Sequence, residues 1–148
     1  MKQREIRIKK LSDRVVIPIK ATEGSAGYDL TAAIKEPMTI QPGEIVRIPT
    51  GLAIELPDSD LVAMIYARSG LSVKHGITLP NGVGVIDSDY RGEIQVALWN
   101  LSNKLYTVEP GERVAQLIIM PVVPTVLKLT DTLEDTRRST GGFGSTGK

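Results

Sequence analysis

The sequence predicts an all-β fold, a sandwich or barrel with one short helix and a flexible C-terminal arm. Three observations carry this. Short apolar runs are separated by turn signals about every 8–12 residues. The alternation of strand-like and helix-like periods that marks a parallel α/β sheet is absent. From Thr130 the apolar pattern stops and Gly, Ser, Thr and charged residues take over. The 148 residues are read as one domain family unit, long enough to bury a core. Residues 1–129 form the β unit and 130–148 the arm.

Ile6 and Ile8 among Lys and Arg, then Val15 to Ile17 before Pro18, read as a basic edge strand that Pro breaks. Thr22 to Gly27 is a loop by composition. It delivers the strand-like Tyr28-Asp29-Leu30-Thr31-Ala32. Two near-copies of one turn follow: Gln41-Pro42-Gly43-Glu44 before Ile45 to Ile48, and Glu109-Pro110-Gly111-Glu112 before Arg113 to Ile118. Pro then Gly fits a type II turn, since Pro fixes φ and Gly accepts φ > 0. Between them lie Thr50 to Leu56, a Pro57–Asp60 turn, and the run Leu61 to Tyr66. Ala67 to Gly76 breaks the strand rhythm and predicts the helix, with Ser69 at its start and Gly76 ending it. His75 reads as a helix-end residue beside the last carbonyls. Gly84 to Ile94 reads as a β-hairpin: an apolar run, an acid-rich turn with Tyr90, and a second run. Gln95 to Asn100 continues as strand, and Val114 to Val123 is the last one.

Composition excludes several function classes. Net charge is +1 and aromatic content 4%, so neither an electrostatic footprint for nucleic acid nor a stacking platform is expected. There is no cysteine, which removes disulfides, Cys-ligated zinc and thiol catalysis and suits a reducing cytosol. A single histidine leaves no His-based metal cluster. No apolar stretch is long enough to span a bilayer.

What remains is carboxylates and anion-friendly segments. Asp87 sits between Ile86 and a polar turn, held in direction yet open to solvent, which suits it to orienting a water. Asp89 reads as a solvated turn acid. Arg68 and Ser69 at a helix start form a potential anion site. Asn81 in the Pro80–Gly82 turn offers both a donor and an acceptor. Gln116 inside an apolar strand is either a satisfied core residue or a ligand group. The tail segment Gly142 to Lys148 imitates a phosphate-binding P-loop, but no helix follows it and no parallel α/β unit surrounds it. Its Gly-rich backbone can still wrap a phosphate. Together these point to Mg²⁺ and a nucleotide, and leave the reaction open.

Five segments in order resemble the motifs of the trimeric deoxyuridine triphosphate nucleotidohydrolases: Ala26 to Leu30, Arg68 to Leu71, Gly84 to Ile94, Gly111 to Leu117, and Arg138 with Gly141 to Gly147. The resemblance covers nearly the whole chain. Ala67 departs from it, standing where the family usually has Pro before the Arg. It implies a jelly-roll-like β domain, a cytoplasmic homotrimer, and hydrolysis of dUTP to dUMP and pyrophosphate by water attack at the α-phosphorus. That reaction supplies dUMP for thymidylate synthesis and keeps uracil out of DNA.

The resemblance also implies roles. Asp87 holds the attacking water and the 3′-hydroxyl. Gln116 helps place the water, and Arg138 neutralises charge near the γ-phosphate. Arg68, Ser69 and Gly70 bind phosphates. Asn81 and the backbone from Val85 through Ile86 to Asp87 read the uracil edge, with Gln95 as a further contact. Tyr90 packs under the deoxyribose and leaves no room for a 2′-hydroxyl. Phe143 stacks on uracil, while Gly144, Ser145 and Thr146 wrap the phosphates. Asp29 touches the Mg²⁺ hydration shell through water. Each site draws the hairpin, the Arg68 and Gln116 motifs, and the tail from three different subunits. A deoxycytidine triphosphate deaminase shares the fold, but the Tyr90 segment and the tail speak against it. A non-hydrolytic regulatory trimer is the reading of another class, and the presence of Asp87, Gln116 and Arg138 speaks against that.

Overall fold

A computed structural model describes residues 3–142. Among them are eleven strands and one helix: β1 (Arg7–Lys10), β2 (Tyr28–Thr31), β3 (Met38–Ile40), β4 (Ile45–Pro49), β5 (Leu52–Glu55), β6 (Leu61–Ala67), α1 (Ser69–His75), β7 (Ile77–Thr78), β8 (Gly84–Ile86), β9 (Gln95–Asn100), β10 (Tyr106–Val108) and β11 (Arg113–Pro121). Every ladder is antiparallel. The sheets run β2-β11-β6-β8, β4-β9-β7, β1-β5 and β10-β3. They enclose one core that includes Leu30, Ile40, Ile48, Leu52, Ile65, Ile94, Val96, Leu98, Val108 and Val114. The all-β expectation holds, as a jelly-roll-like sandwich.

The two Pro-Gly turns are built alike. Gly43 and Gly111 have φ of +79° and +77°, as a type II turn requires. In each, the fourth residue's N–H returns to the first residue's carbonyl, and the Glu at that position accepts from the first residue's N–H. Because β3 pairs with β10, the two turns lead the chain into β4 and β11 from neighbouring strands. α1 begins after Arg68, whose extended backbone forms its N-cap, and ends at Gly76 in the left-handed region.

Two expectations are corrected. Val15 to Ile17 form no strand. Val15 is buried instead against Gly51, where an added Cβ would lie 2.6 Å from its Cγ2. The Gly84–Ile94 stretch is not a hairpin ladder either. β8 pairs with β6, while β9 pairs with β4 and β7. The segment between them crosses from one sheet to another, with buried Ile94 in the core. Its apolar runs fit any half-buried strand, so the sequence pattern alone did not say which strands they join.

Candidate active site

The crossing segment carries the first group of residues. Among the described residues β8 has one strand partner, so its other edge offers backbone N–H and C=O groups that no described strand takes. Beside that edge lies a cavity of about 150 Å³ lined by Ile65, Leu79, Asn81, Gly84, Val85, Ile86, Gln95, Val96 and Ala97. Four expected base-reading residues, Asn81, Val85, Ile86 and Gln95, therefore share one small pocket. Asp87 is the first residue after β8 and is exposed. Tyr90 folds back across the turn. Its hydroxyl donates to the Glu93 carbonyl at 2.9 Å, and its ring lies where a Cβ on Gly92 would be, 2.4 Å from the hydroxyl oxygen. The absent side chain at Gly92 is what makes room for the phenol end of Tyr90. The Glu93 carboxylate accepts from the Gly51 N–H at 2.8 Å and from Gln95 Nε2 at 3.4 Å, tying the cavity wall to the β4–β5 turn.

The second group lies on the outer face of the four-stranded sheet. Gln116 stands between Asp29 on β2 and Tyr66 on β6. Directly paired residues share a sheet face, so these three point the same way. The side chain of Asp29 is only 15% exposed and is bracketed by two guanidinium groups: Arg68 Nε lies 3.4 Å from Oδ1, and Arg113 Nη1 donates to Oδ2 at 3.1 Å. Arg68 Nη1 also donates to the Arg113 carbonyl at 3.1 Å. The Nε contact is close enough for an ion pair but too poorly aligned for a hydrogen bond, and this buried nitrogen has no hydrogen-bond acceptor. Ser69 and Gly70 follow, exposed, in the first turn of α1.

The far end of α1 is held by the same turn. His75 packs on Tyr106 with ring centroids 5.1 Å apart, and the Tyr106 hydroxyl donates to the Glu112 carboxylate. Burial, and secondarily that carboxylate, push the Tyr106 phenol above its ordinary value. Arg113, Tyr106, Glu112 and Glu93 were not singled out in the sequence. The visible signal was an Arg beside Glu at a Pro-Gly turn, which reads equally well as a solvated pair.

One chain does not bring its two groups together. Ile86 pairs with Ala63, which sets Asp87 level with Val62. Arg68 lies beyond the opposite end of β6, roughly 20 Å away at the usual strand rise. Arg138 is exposed in the arm, its Nε donating to the Gly141 carbonyl at 3.0 Å. Phe143, Gly144, Ser145 and Thr146 lie outside the described residues. Among the described residues no three His, Cys, Asp or Glu side chains gather as a metal cage. This fits a Mg²⁺ that takes phosphate oxygens and water as ligands and needs no such cage. The Asp29 carboxylate, with lone pairs beyond those facing its two arginines, can still accept a hydrogen bond from a metal-bound water. No described helix is long and apolar enough to cross a membrane.

Comparison with known proteins gives one consistent result. The family model described as dUTPase matches residues 13–147. The deoxyuridine 5′-triphosphate nucleotidohydrolase of Hahella chejuensis is 52% identical over 139 residues, 94% of this chain and 91% of that protein. That of Sodalis glossinidius is 48% identical over 150 residues, covering 100% and 99%. Among solved structures, the Staphylococcus bacteriophage 80alpha dUTPase with dUPNHPP superposes with a TM-score of 0.88 at 28% identity, covering 97% of this chain and 99% of that one. The phage phi11 dUTPase, solved with a structural Mg(II) ion, has a TM-score of 0.80 at 24% identity, covering 88% and 99%. With sequence relatives near half identity along almost the full length and the same fold in the phage enzymes, the chain belongs to the dUTPase family.

Proposed function

We propose that this enzyme hydrolyses dUTP to dUMP and pyrophosphate, at sites each assembled from three copies of the chain. Family membership supports the substrate. The observation that carries the mechanism is the cavity beside the free edge of β8, the strand that Asp87 immediately follows. Uracil presents acceptor, donor, acceptor along one edge. An edge strand's backbone plus the Asn81 amide can answer that order, which cytosine lacks, and close walls beside the ring would reject the thymine methyl by overlap. Gln95 adds a contact from the facing wall. Tyr90, lying against Gly92, packs beneath the deoxyribose and takes the space of a 2′-hydroxyl.

Asp87 orients a water behind the α-phosphorus. The water oxygen bonds to that phosphorus as the bond to the bridging oxygen of the β-phosphate breaks. Pyrophosphate leaves with the electron pair, and the water's proton passes by way of Asp87 to solvent. Asp87 serves here by aiming the water more than by storing its proton. Gln116 places the water from the side, and Arg68, Ser69 and Gly70 hold the phosphates. Mg²⁺, when bound, would draw charge from the triphosphate, with Asp29 contacting its hydration shell. The arm, residues 130–148, closes the site: Arg138 near the γ-phosphate, Phe143 over uracil, and Gly144, Ser145 and Thr146 around the phosphates.

The homotrimer is supported by three features of the single chain. The separation of Asp87 from Arg68 needs a second copy to complete a site. The outer sheet face, with Val62, Met64, Tyr66, Ile118, Met120 and Val85 half-buried or exposed around Gln116, is an apolar surface in want of a partner. Beyond Pro121 the chain leaves the sheet without regular structure, with Val126, Leu127 and Leu129 more than 90% exposed, while a groove of about 280 Å³ beside β1 sets Ile6, Ile8, Leu52, Ile54, Leu117 and Ile119 beside Gln3, Arg4 and Glu5. The exposed apolar side chains of this segment and the apolar part of the groove satisfy one another between copies.

Pyrophosphate release with Mg²⁺ from dUTP, dCTP, dTTP and UTP, measured side by side, tests the reading. Turnover of dUTP alone is expected. Comparable turnover of dCTP or UTP overturns it.

A further inference from the structure

We propose that Arg113 is a positioning residue for the phosphate site, acting through Asp29 and its own carbonyl on Arg68, and that a β-bulge in β11 puts it there. The proposal rests on Arg68 as a phosphate-binding residue.

The geometry begins with register. Along β11, Gln116 pairs with Asp29 and Ala115 with Leu30, but Arg113 pairs with Thr31. Two steps on β11 thus answer one step on β2. In an unbroken strand, residues three apart point to opposite faces. Arg113 would then face away from Gln116. The extra residue, Val114, cancels that half-turn, and Val114 itself is buried in the core. Arg113 and Gln116 consequently share the face that carries Asp29. Bulges of this kind re-aim a side chain at a chosen place in a sheet.

The effect on Arg68 follows from its contacts. Its Nη1 is held by the Arg113 carbonyl at 3.1 Å and its buried Nε faces Asp29 Oδ1 at 3.4 Å. The remaining Nη2 edge is the part left for a ligand. Asp29 in turn is fixed from its other oxygen by Arg113 Nη1 at 3.1 Å. A carboxylate with only one partner can swing about χ2 and carry Arg68 with it; one bracketed on both sides cannot. The cluster of two guanidiniums and one carboxylate keeps a net positive charge, suited to a polyphosphate. The ion pair between Arg113 and Asp29 is half in solvent, with the Arg113 side chain 54% exposed, so its value lies in direction more than in stability.

The test is steady-state kinetics on the full-length enzyme with dUTP and Mg²⁺. Arg113→Ala should raise KM about tenfold, the size of one charge-assisted hydrogen bond, and leave kcat within about threefold. The inhibition constant of pyrophosphate should rise in parallel. Arg113→Lys, which can still pair with Asp29, should recover most of the loss. In a double-mutant cycle with Arg68→Ala, the two changes should be strongly sub-multiplicative, because Arg113 has nothing to position once Arg68 is gone. If Arg113→Ala does not assemble, Arg113→Gln is measured in its place. Unchanged KM, multiplicative effects with Arg68→Ala, or a raised KM with unchanged pyrophosphate inhibition each overturn the proposal. An Arg68→Ala variant with native KM would instead overturn the phosphate-site reading beneath it.

Discussion

Tyr106 shows how a residue far from any charge transfer can still serve the site. It joins the last turn of α1, through His75, to the Glu112 carboxylate at the turn before β11. The same short turn supplies the Arg113 carbonyl to Arg68 at the other end of α1, so the helix is held at both ends by one stretch of chain. Burial first, and the neighbouring carboxylate second, raise the Tyr106 phenol above its ordinary value of 10.0. The sign of the linkage is fixed by that direction. Below pH 10 the phenol is neutral in both folded and unfolded chains, and its contribution is fully present. As pH rises past 10 the unfolded chain ionises first, and stability is lost. Denaturant unfolding between pH 8 and pH 11 should therefore show a steeper alkaline loss in the native protein than in Tyr106→Phe. Identical slopes would remove Tyr106 from the alkaline transition.

At the scale of elements, the decisive feature is the segment from Asp87 to Ile94. Its flanking strands belong to different sheets, and that split leaves the edge of β8 free beside the cavity. Gly92 makes room for Tyr90 across it. In Gly92→Ala the new Cβ collides with the end of the Tyr90 side chain. A ring tip can move, so the fold should survive at a cost of roughly 1 kcal/mol. The displaced ring should no longer fill the place of a 2′-hydroxyl, and kcat/KM for UTP relative to dUTP should rise at least several-fold. An unchanged ratio would mean that Tyr90 does not set sugar selectivity. Much of this was legible in the sequence. The Pro-Gly turns, the helix between Arg68 and Gly76, and the junction that presents Asp87 all follow from local chemistry. The partners of β8 and β9 did not, because an alternating run says which face is buried and not which strand lies alongside. The bulge at Val114 was equally silent: one extra apolar residue in an apolar strand changes register without changing composition. Arg113 went unremarked for the same reason, since its face depends on that register.

For the whole molecule, the proposed shared site makes the single chain an incomplete enzyme. Asp87 and Arg68 lie toward opposite ends of β6, on a sheet whose outer face is apolar around two polar site residues. The chain after Pro121 exposes Leu127 and Leu129 almost fully. Folding of one copy leaves these surfaces uncovered; in the proposed trimer, assembly would cover them and complete the sites together. The proposed closing of the arm over bound nucleotide fits such a design, since it would let substrate enter before water is shut out. The most direct test is subunit complementation. Asp87→Asn and Arg68→Ala each remove one half of every site, and each pure enzyme should lose nearly all turnover. Unfolded together in equal amounts and refolded, the mixture should regain about a quarter of native activity, because random assembly pairs an intact Asp87 with an intact neighbouring Arg68 at that frequency. A mixture no more active than its two parents would mean that both residues serve a site within one chain, and would contradict the shared site.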